Sequence, residues 1–376
     1  MRSWPEVPSI RFDATAMVDH HCHGVLTEDL DRTGFEALLN EGNGAGALGT
    51  TVLDSMLGLA VRRWCAPVLG LEPLADAQAY LARRTELGAE EVNNRFVSAS
   101  ATADFVVDTG FGAGRVTGAE RTAAYAGGRG HEIVRLEAVA EELLESGTTP
   151  ADFAERLREQ LTGRGAVGAK SIAAYRTGLA LAATKPTDDT LVAALGECGR
   201  DADGTIRLAH PVVHAWLAHT AVEEGLPLQI HVGYGDNDVD LADCDPLRLT
   251  AFLRATQDRG TPVLLLHNYP FHRHAAYLAQ VFSHVFMDVG LATHNTGALS
   301  TALVRESLEL VPFAKMLYSS DAFGLAELYH LGSLLFRRSM SEVLAGLVDA
   351  DEMGETDAER VVDLVAHDNA RRVYAL

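Results

Sequence analysis

The sequence predicts an α/β protein, a (β/α)8 (TIM) barrel with a helical insertion after its first strand. Three observations lead there. Short β-rich runs alternate with longer helical patterns over most of the 376 residues. Eight such runs can be counted, and strands separated by helical crossovers pair in parallel. Polar residues repeatedly close these apolar runs, as expected where the C-terminal rim of a barrel carries the chemistry. A barrel of about 250 residues leaves room for insertions.

The first strand is expected at Ala16–His21. Its apolar start, Ala16 to Val18, leads into Asp19-His20-His21-Cys22-His23. Alternation along a strand puts His21 and His23 on one side and turns His20 and Cys22 to the other. Two imidazoles side by side at a strand tip can bind one metal ion. The insertion, about Thr27–Thr102, carries a helical pattern at Pro73–Glu86 and a Gly-rich patch at Gly42–Gly49. That patch lacks the spacing of a phosphate-binding loop. The insertion is expected to reach over the C-terminal face, as a lid or an oligomer contact.

Further strands are expected at Phe105–Thr109, Glu132–Glu137, Val167–Ala173, Pro227–His231, Val263–His267, Val285–Val289 and Met316–Ser319. Helical patterns lie between them at Pro150–Thr162, Thr187–Cys198, Pro211–Glu224, Leu247–Arg259 and His274–Phe282. Asp108 and Glu137 end the second and third strands; either can orient a ligand histidine or cap a helix. Lys170 lies in the fourth strand, His231 ends the fifth, His267 ends the sixth, and Asp321 follows the eighth. Singly, each has an ordinary structural explanation, such as a helix cap for Asp321. The order His-x-His, Lys, His, His, Asp over eight strand-like units points jointly to a metal site. One domain is expected over residues 1–376, with closing helices at about 338–376.

Composition narrows the function. The apolar share is 47% and the charged share 22%, with a formal net charge of −21. Nucleic acid is not an expected partner, since a basic face is needed to neutralise phosphates. Anionic membranes are disfavoured for the same reason. The four cysteines, Cys22, Cys65, Cys198 and Cys244, form no CxxC pair, so a thiolate zinc site or redox dithiol is not expected. Met1–Arg11 lacks an apolar core of signal-peptide length. A soluble, cytoplasmic protein is the expectation.

The motifs Val18-Asp19-His20-His21-Cys22-His23-Gly24, Lys170-Ser171-Ile172-Ala173-Ala174-Tyr175-Arg176-Thr177-Gly178-Leu179, Gln229-Ile230-His231, Leu266-His267-Asn268-Tyr269-Pro270 and Ser319-Ser320-Asp321 carry a family resemblance. Over nearly its whole length the chain resembles the amidohydrolase superfamily of metal-dependent barrels. Within it, the chain is similar to the branch related to the N-terminal domain of nodulin/FluG-type glutamine synthetase-like proteins. Glu327-Leu328-Tyr329-His330-Leu331-Gly332 and Asn369-Ala370-Arg371-Arg372 also look familial. One departure is His274, where a Glu often follows the Arg in that branch.

The resemblance implies that His21, His23 and Asp321 hold the more buried ion and that His231 belongs to the same cluster. Imidazoles and a carboxylate suit zinc, with manganese, iron and nickel left open. One zinc ion is the first expectation. The alternative is two ions bridged by a carboxylated Lys170, with His231 and His267 on the second. The implied activity is hydrolysis of a C–N (amide) bond by a metal-activated water, with Asp321 as general base and acid and His267 polarising the carbonyl. The branch points to a small γ-glutamyl amide. Arg176 is then a candidate anchor for a substrate carboxylate, next to Tyr175; a structural ion pair is the alternative for Arg176. Asn268, His294 and Glu327 are weaker candidates, and Trp4, Trp64 and Trp216 read as packing residues. A small-molecule partner and a homo-oligomer are expected. Two other functions fit the pattern: a non-oxidative decarboxylase of the aminocarboxymuconate-semialdehyde type, disfavoured by Lys170, and a non-catalytic partner of a glutamine synthetase-like enzyme.

Overall fold

The computed structural model describes residues 12, 15–42, 47–201 and 204–376. Trp4, the Met1–Arg11 segment and the middle of the Gly42–Gly49 patch lie outside the described residues.

Among the described residues, seven strands form one sheet in sequential order: β1 Met17–Cys22, β2 Thr102–Asp108, β3 Arg129–Arg135, β4 Gly168–Ser171, β5 Leu228–Val232, β6 Val263–His267 and β7 Val285–Met287. Every neighbouring pair is parallel. Helices such as Pro150–Gly163, Asp188–Glu197, Pro211–Glu223 and His272–Val281 supply the crossovers. The fold is therefore the expected α/β barrel.

The eighth expected strand, Met316–Ser319, is a correction. It makes a single bridge to β7, between Met316 and Met287. It still closes the barrel with isolated bonds: Leu317 N donates to the Met287 carbonyl at 2.9 Å, and His20 N donates to the Tyr318 carbonyl at 3.1 Å. The segment turns away before a regular ladder can develop, because Ser319 to Asp321 is bent to meet the tip of β1. Two smaller corrections concern strand ends. Glu137 does not end β3; it opens the helix Leu136–Glu145. The expected Leu247–Arg259 helix is divided, with 3-10 turns flanking Thr250–Thr256.

A fourth correction concerns β1. Its register against β2 shifts between Asp19 and Cys22, where three steps on β1 match two on β2. An extra residue reverses which side the following side chains face. His20, expected to turn outward, therefore lies inside the barrel as well as His21 and His23. Cys22 does face outward, into a separate apolar cluster.

The barrel lumen is filled by Val18, Val106, Ile133, Leu264, Leu266, Phe286 and Leu317. The helix Asn369–Tyr374 plugs the end opposite the rim, where Asn369 Nδ2 donates to the carbonyls of Phe313 and Met316. Tyr374 enters the lumen. Gln229 Nε2 donates to its hydroxyl at 2.8 Å, and that hydroxyl meets His20 Nδ1 at 3.1 Å. The insertion packs outside β1 and β2. Phe35, Tyr80, Val92 and Phe96 form a core there with Phe105, Leu325 and Tyr329. Glu327 is buried in this layer and accepts from Arg84 at 2.9 Å and Tyr80 at 3.0 Å. This ties the insertion to the closing helix Ala326–Asp349 and gives Glu327 a structural role.

Replacing Tyr374 with Phe would leave the Gln229 amide and His20 short of a partner inside the lumen. The expected cost is about 1–3 kcal/mol, read as a lower urea midpoint with unchanged m-value.

Candidate metal centre

The C-terminal ends of the strands converge on a cavity of about 540 Å³. Its lining includes His23, Lys170, Tyr175, Arg176, His231, His267, His294 and Asp321. Residues from β1, β4, β5, β6 and the eighth segment thus meet as the sequence spacing implied. Leu38 and Glu41 also line it, so the first part of the insertion reaches the cavity.

His21, His23 and Asp321 form the tightest group, with one ligand atom from each lying within 4.8 Å of the others. His21 Nε2 is 3.0 Å from Asp321 Oδ1, and His23 Nε2 is 3.5 Å from the same oxygen. His267 Nδ1 lies 3.5 Å from Asp321 Oδ2. Lys170 Nζ is 3.1 Å from His21 Nε2. His231 stands one ring further out, its centroid 4.7 Å from His267 and 4.5 Å from Tyr175.

The donor chemistry fits a divalent cation. His23 Nδ1 can only donate to the Asp108 carbonyl, 3.1 Å away. Its Nε2 then faces the Asp321 carboxylate. His231 Nε2 and His267 Nδ1 are buried with no hydrogen-bond partner. Burial, reinforced by Lys170, lowers His21 to about 4. Burial likewise lowers His231 and His267, so these imidazoles are neutral and ligand-competent. Burial would raise the Asp321 carboxyl, but His267 and the bonds from His21 and His23 hold it well below the usual range. Imidazoles and a carboxylate crowded together favour a positive charge; Lys170 Nζ brings one to the His21 side, and a bound cation would bring another. Burial also lowers Lys170, to about 8, against the pull of Asp321 and Asp108.

Two carboxylates hold this arrangement in place. Asp19 Oδ1 accepts from Ser320 N at 2.9 Å, and its Oδ2 accepts from Ser320 Oγ at 2.5 Å. Asp321 N donates to the His21 carbonyl at 3.0 Å. Asp288, just beyond β7, accepts from His267 N at 2.9 Å and Gly290 N at 2.8 Å, while its other oxygen meets His20 Nε2 at 2.8 Å. The clamped residues are conformationally unusual. His267, Asn268 and Asp321 have φ of +67°, +60° and +52°, a region that non-glycine residues enter at a cost and that clusters at working sites.

The remaining candidates sort plainly. Asp108 orients His23 through its backbone carbonyl, while its carboxylate pairs with Arg135 at 2.6 Å. Glu137 accepts from Ser171 Oγ and Ile172 N and meets His214, so it steadies the end of β4 and no candidate ligand. Asn268 bonds the carbonyls of Leu265 and Asp288. Arg176 lies 3.9 Å from Glu141, and its Nε has no partner. His274 pairs with Asp245 outside the cavity lining. Trp216 packs against Phe153, and Trp64 lies under Arg63. Reasoning from sequence missed Asp288, Arg135, Phe111 and Phe323. Only Asp288, closing an apolar run as His267 does, had a signal that could have found it.

No protein-family model matches the chain. In sequence it is 29% identical over 281 residues to the protein fluG of Emericella nidulans, across 65% of this chain and 32% of that protein. The chain thus spans about a third of the length of that curated relative. In structure it resembles a Lactobacillus casei ATCC 334 protein provisionally described as a metal-dependent hydrolase. The TM-score is 0.81 and the identity 26%, over 97% of this chain and 96% of the other. It also shares the fold of a uronate isomerase from Bacillus halodurans C-125, with a TM-score of 0.64 and 15% identity over 97% and 94% of the two chains. Fold and site together resemble those of a metal-dependent barrel, in keeping with the amidohydrolase-superfamily resemblance of the sequence. Within that superfamily the chain is similar to the FluG-like branch.

Among the described residues, no helix is long and apolar enough to cross a membrane.

Replacing Asp19 with Ala should weaken metal binding by roughly 10–100-fold, measured by equilibrium dialysis against zinc, because its two bonds to Ser320 hold Asp321 in place. Stripping the metal with a chelator should lower the melting temperature, and adding zinc back should restore it, since an ion bound only by the folded state stabilises that state.

Proposed function

We propose that the protein hydrolyses a C–N bond, an amide, with a zinc ion held by His21, His23 and Asp321. The observation that carries this reading is the convergence of the His21 and His23 imidazoles and the Asp321 carboxylate, one ligand atom of each within 4.8 Å of the others. His231, His267 and Lys170 stand ready for a second ion if Lys170 is carboxylated. When bound, the ion supplies a water of lowered pKa and a Lewis acid for the carbonyl.

The chain's own residues supply the rest. Asp321, ionised and next to three imidazoles, accepts the proton of the attacking water and delivers it to the leaving amine. His267, aimed by Asp288, faces the same carboxylate and donates to the developing oxyanion. Arg176 binds a substrate carboxylate: its Nε is unpartnered, and the Glu141 carboxylate is 3.9 Å away. Tyr175 lies against His231 and closes that side. A γ-glutamyl amide combines the required amide and carboxylate, and it is the substrate class that the sequence resemblance to the FluG-type branch implies. We place the protein in the cytoplasm as a homo-oligomer acting on small molecules.

Asp321→Asn should abolish amine release from a panel of γ-glutamyl amides while circular dichroism stays unchanged. Full activity in that variant would reject the scheme. Release of CO₂ in place of amine would favour a decarboxylase. Metal analysis near two ions per chain would put Lys170 among the ligands; near one, it would leave Lys170 outside.

A further inference from the structure

We propose that one end of the cavity is a subsite for a flat apolar group, an aryl ring. The substrate would then carry an aryl group on one side of the scissile amide and an anion on the other. This rests on the amide-hydrolase reading and narrows its substrate class.

Two phenylalanines build the subsite. Phe111 stands in the loop after β2, and Phe323 follows the eighth segment. Their ring centroids are 4.5 Å apart, and they lie 5.6 Å and 5.9 Å from the His23 ring. Both line the cavity, together with Leu38, Leu291 and Leu328. Phe111 remains 45% exposed, so its face is open to a ligand in a cavity with convergent polar groups. Arg135 lies over Phe111 at 5.1 Å, with its charge matched by Asp108. The close ring approach depends on Gly112, which has φ +67°; a Cβ there would come within 2.9 Å of the Phe323 ring.

Ring contacts order the cavity. Centroids run from Tyr175 to His231 at 4.5 Å, to His267 at 4.7 Å, to His21 at 5.5 Å, to His23 at 5.1 Å, and on to Phe111 at 5.6 Å. Tyr175, with Arg176 next to it, stands at one end of this run and the phenylalanine pair at the other. Asp321 meets the middle through His21, His23 and His267. A molecule with its amide at Asp321 can reach Arg176 with one end and the two aromatic faces with the other. An aryl ring gains edge and face contacts there beyond simple area burial.

The test uses two probes of equal charge, N-phenylglutaramate and N-(2-hydroxyethyl)glutaramate, titrated by calorimetry into the full-length protein as purified. The phenyl compound should bind roughly tenfold tighter, the scale of one well-formed aromatic contact. Phe111→Ala and Phe323→Ala should each bring the two affinities close together while leaving the hydroxyethyl affinity unchanged. Phe111 is partly exposed, so its variant keeps the fold and serves as the primary test. Equal affinities in the parent protein, no effect of either variant, or no binding of the phenyl probe would overturn the subsite. Phe111-dependent binding without release of aniline would keep the subsite and reject the amide-hydrolase reading. Aniline release indifferent to both rings would do the reverse.

Discussion

The joining of β1 to the eighth segment is the contact on which the rest of the site depends. Asp19 grips Ser320 through both carboxylate oxygens, and Asp321 N returns a bond to the His21 carbonyl. The two segments are about three hundred residues apart in the chain. That closure turns a curled sheet into a barrel and brings the two ligand types, imidazole and carboxylate, to one point. It also explains why no regular eighth strand forms. A straight ladder would carry Asp321 past the histidines, whereas a bent segment with φ of +52° at Asp321 turns it towards them.

The local irregularities share this purpose. The register shift in β1 lets His20 join the lumen while His21 and His23 keep facing the cavity. His20 then links Asp288 to Tyr374, so the plug at the far end of the barrel is tied to the clamp on His267. Strain at His267, Asn268 and Asp321 is held by hydrogen bonds from neighbouring segments rather than by the residues' own preferences. The resulting cluster gathers buried imidazoles around one carboxylate, a donor set that suits a cation.

Much of the metal site was legible in the sequence. His21, His23, His231, His267 and Asp321 each close or follow an apolar run, and period-two alternation with eight such runs predicts that they meet at one rim. Lys170 is placed by the same logic. The residues that hold them were less visible. Asp288 looks like any acid after a strand until its oxygen is seen on the His267 amide. Glu137 looked like a strand end and proved to start a helix. Phe111 and Phe323 sit in loops, where no periodicity marks which side chains turn inward.

By itself, the sequence determined the barrel class and the order of its strands, because hydrophobic periodicity and polar residues at run ends are local properties of the chain, and with the family resemblance it named the candidate metal-binding side chains. The tertiary structure alone decided that His20 faces inward, that the eighth segment closes by scattered bonds, and that Asp19 and Asp288 serve as clamps. It likewise decided which aromatic rings meet at the cavity. These depend on register, a bulge and contacts between segments distant in sequence, and such pairings are settled only when the whole chain has packed.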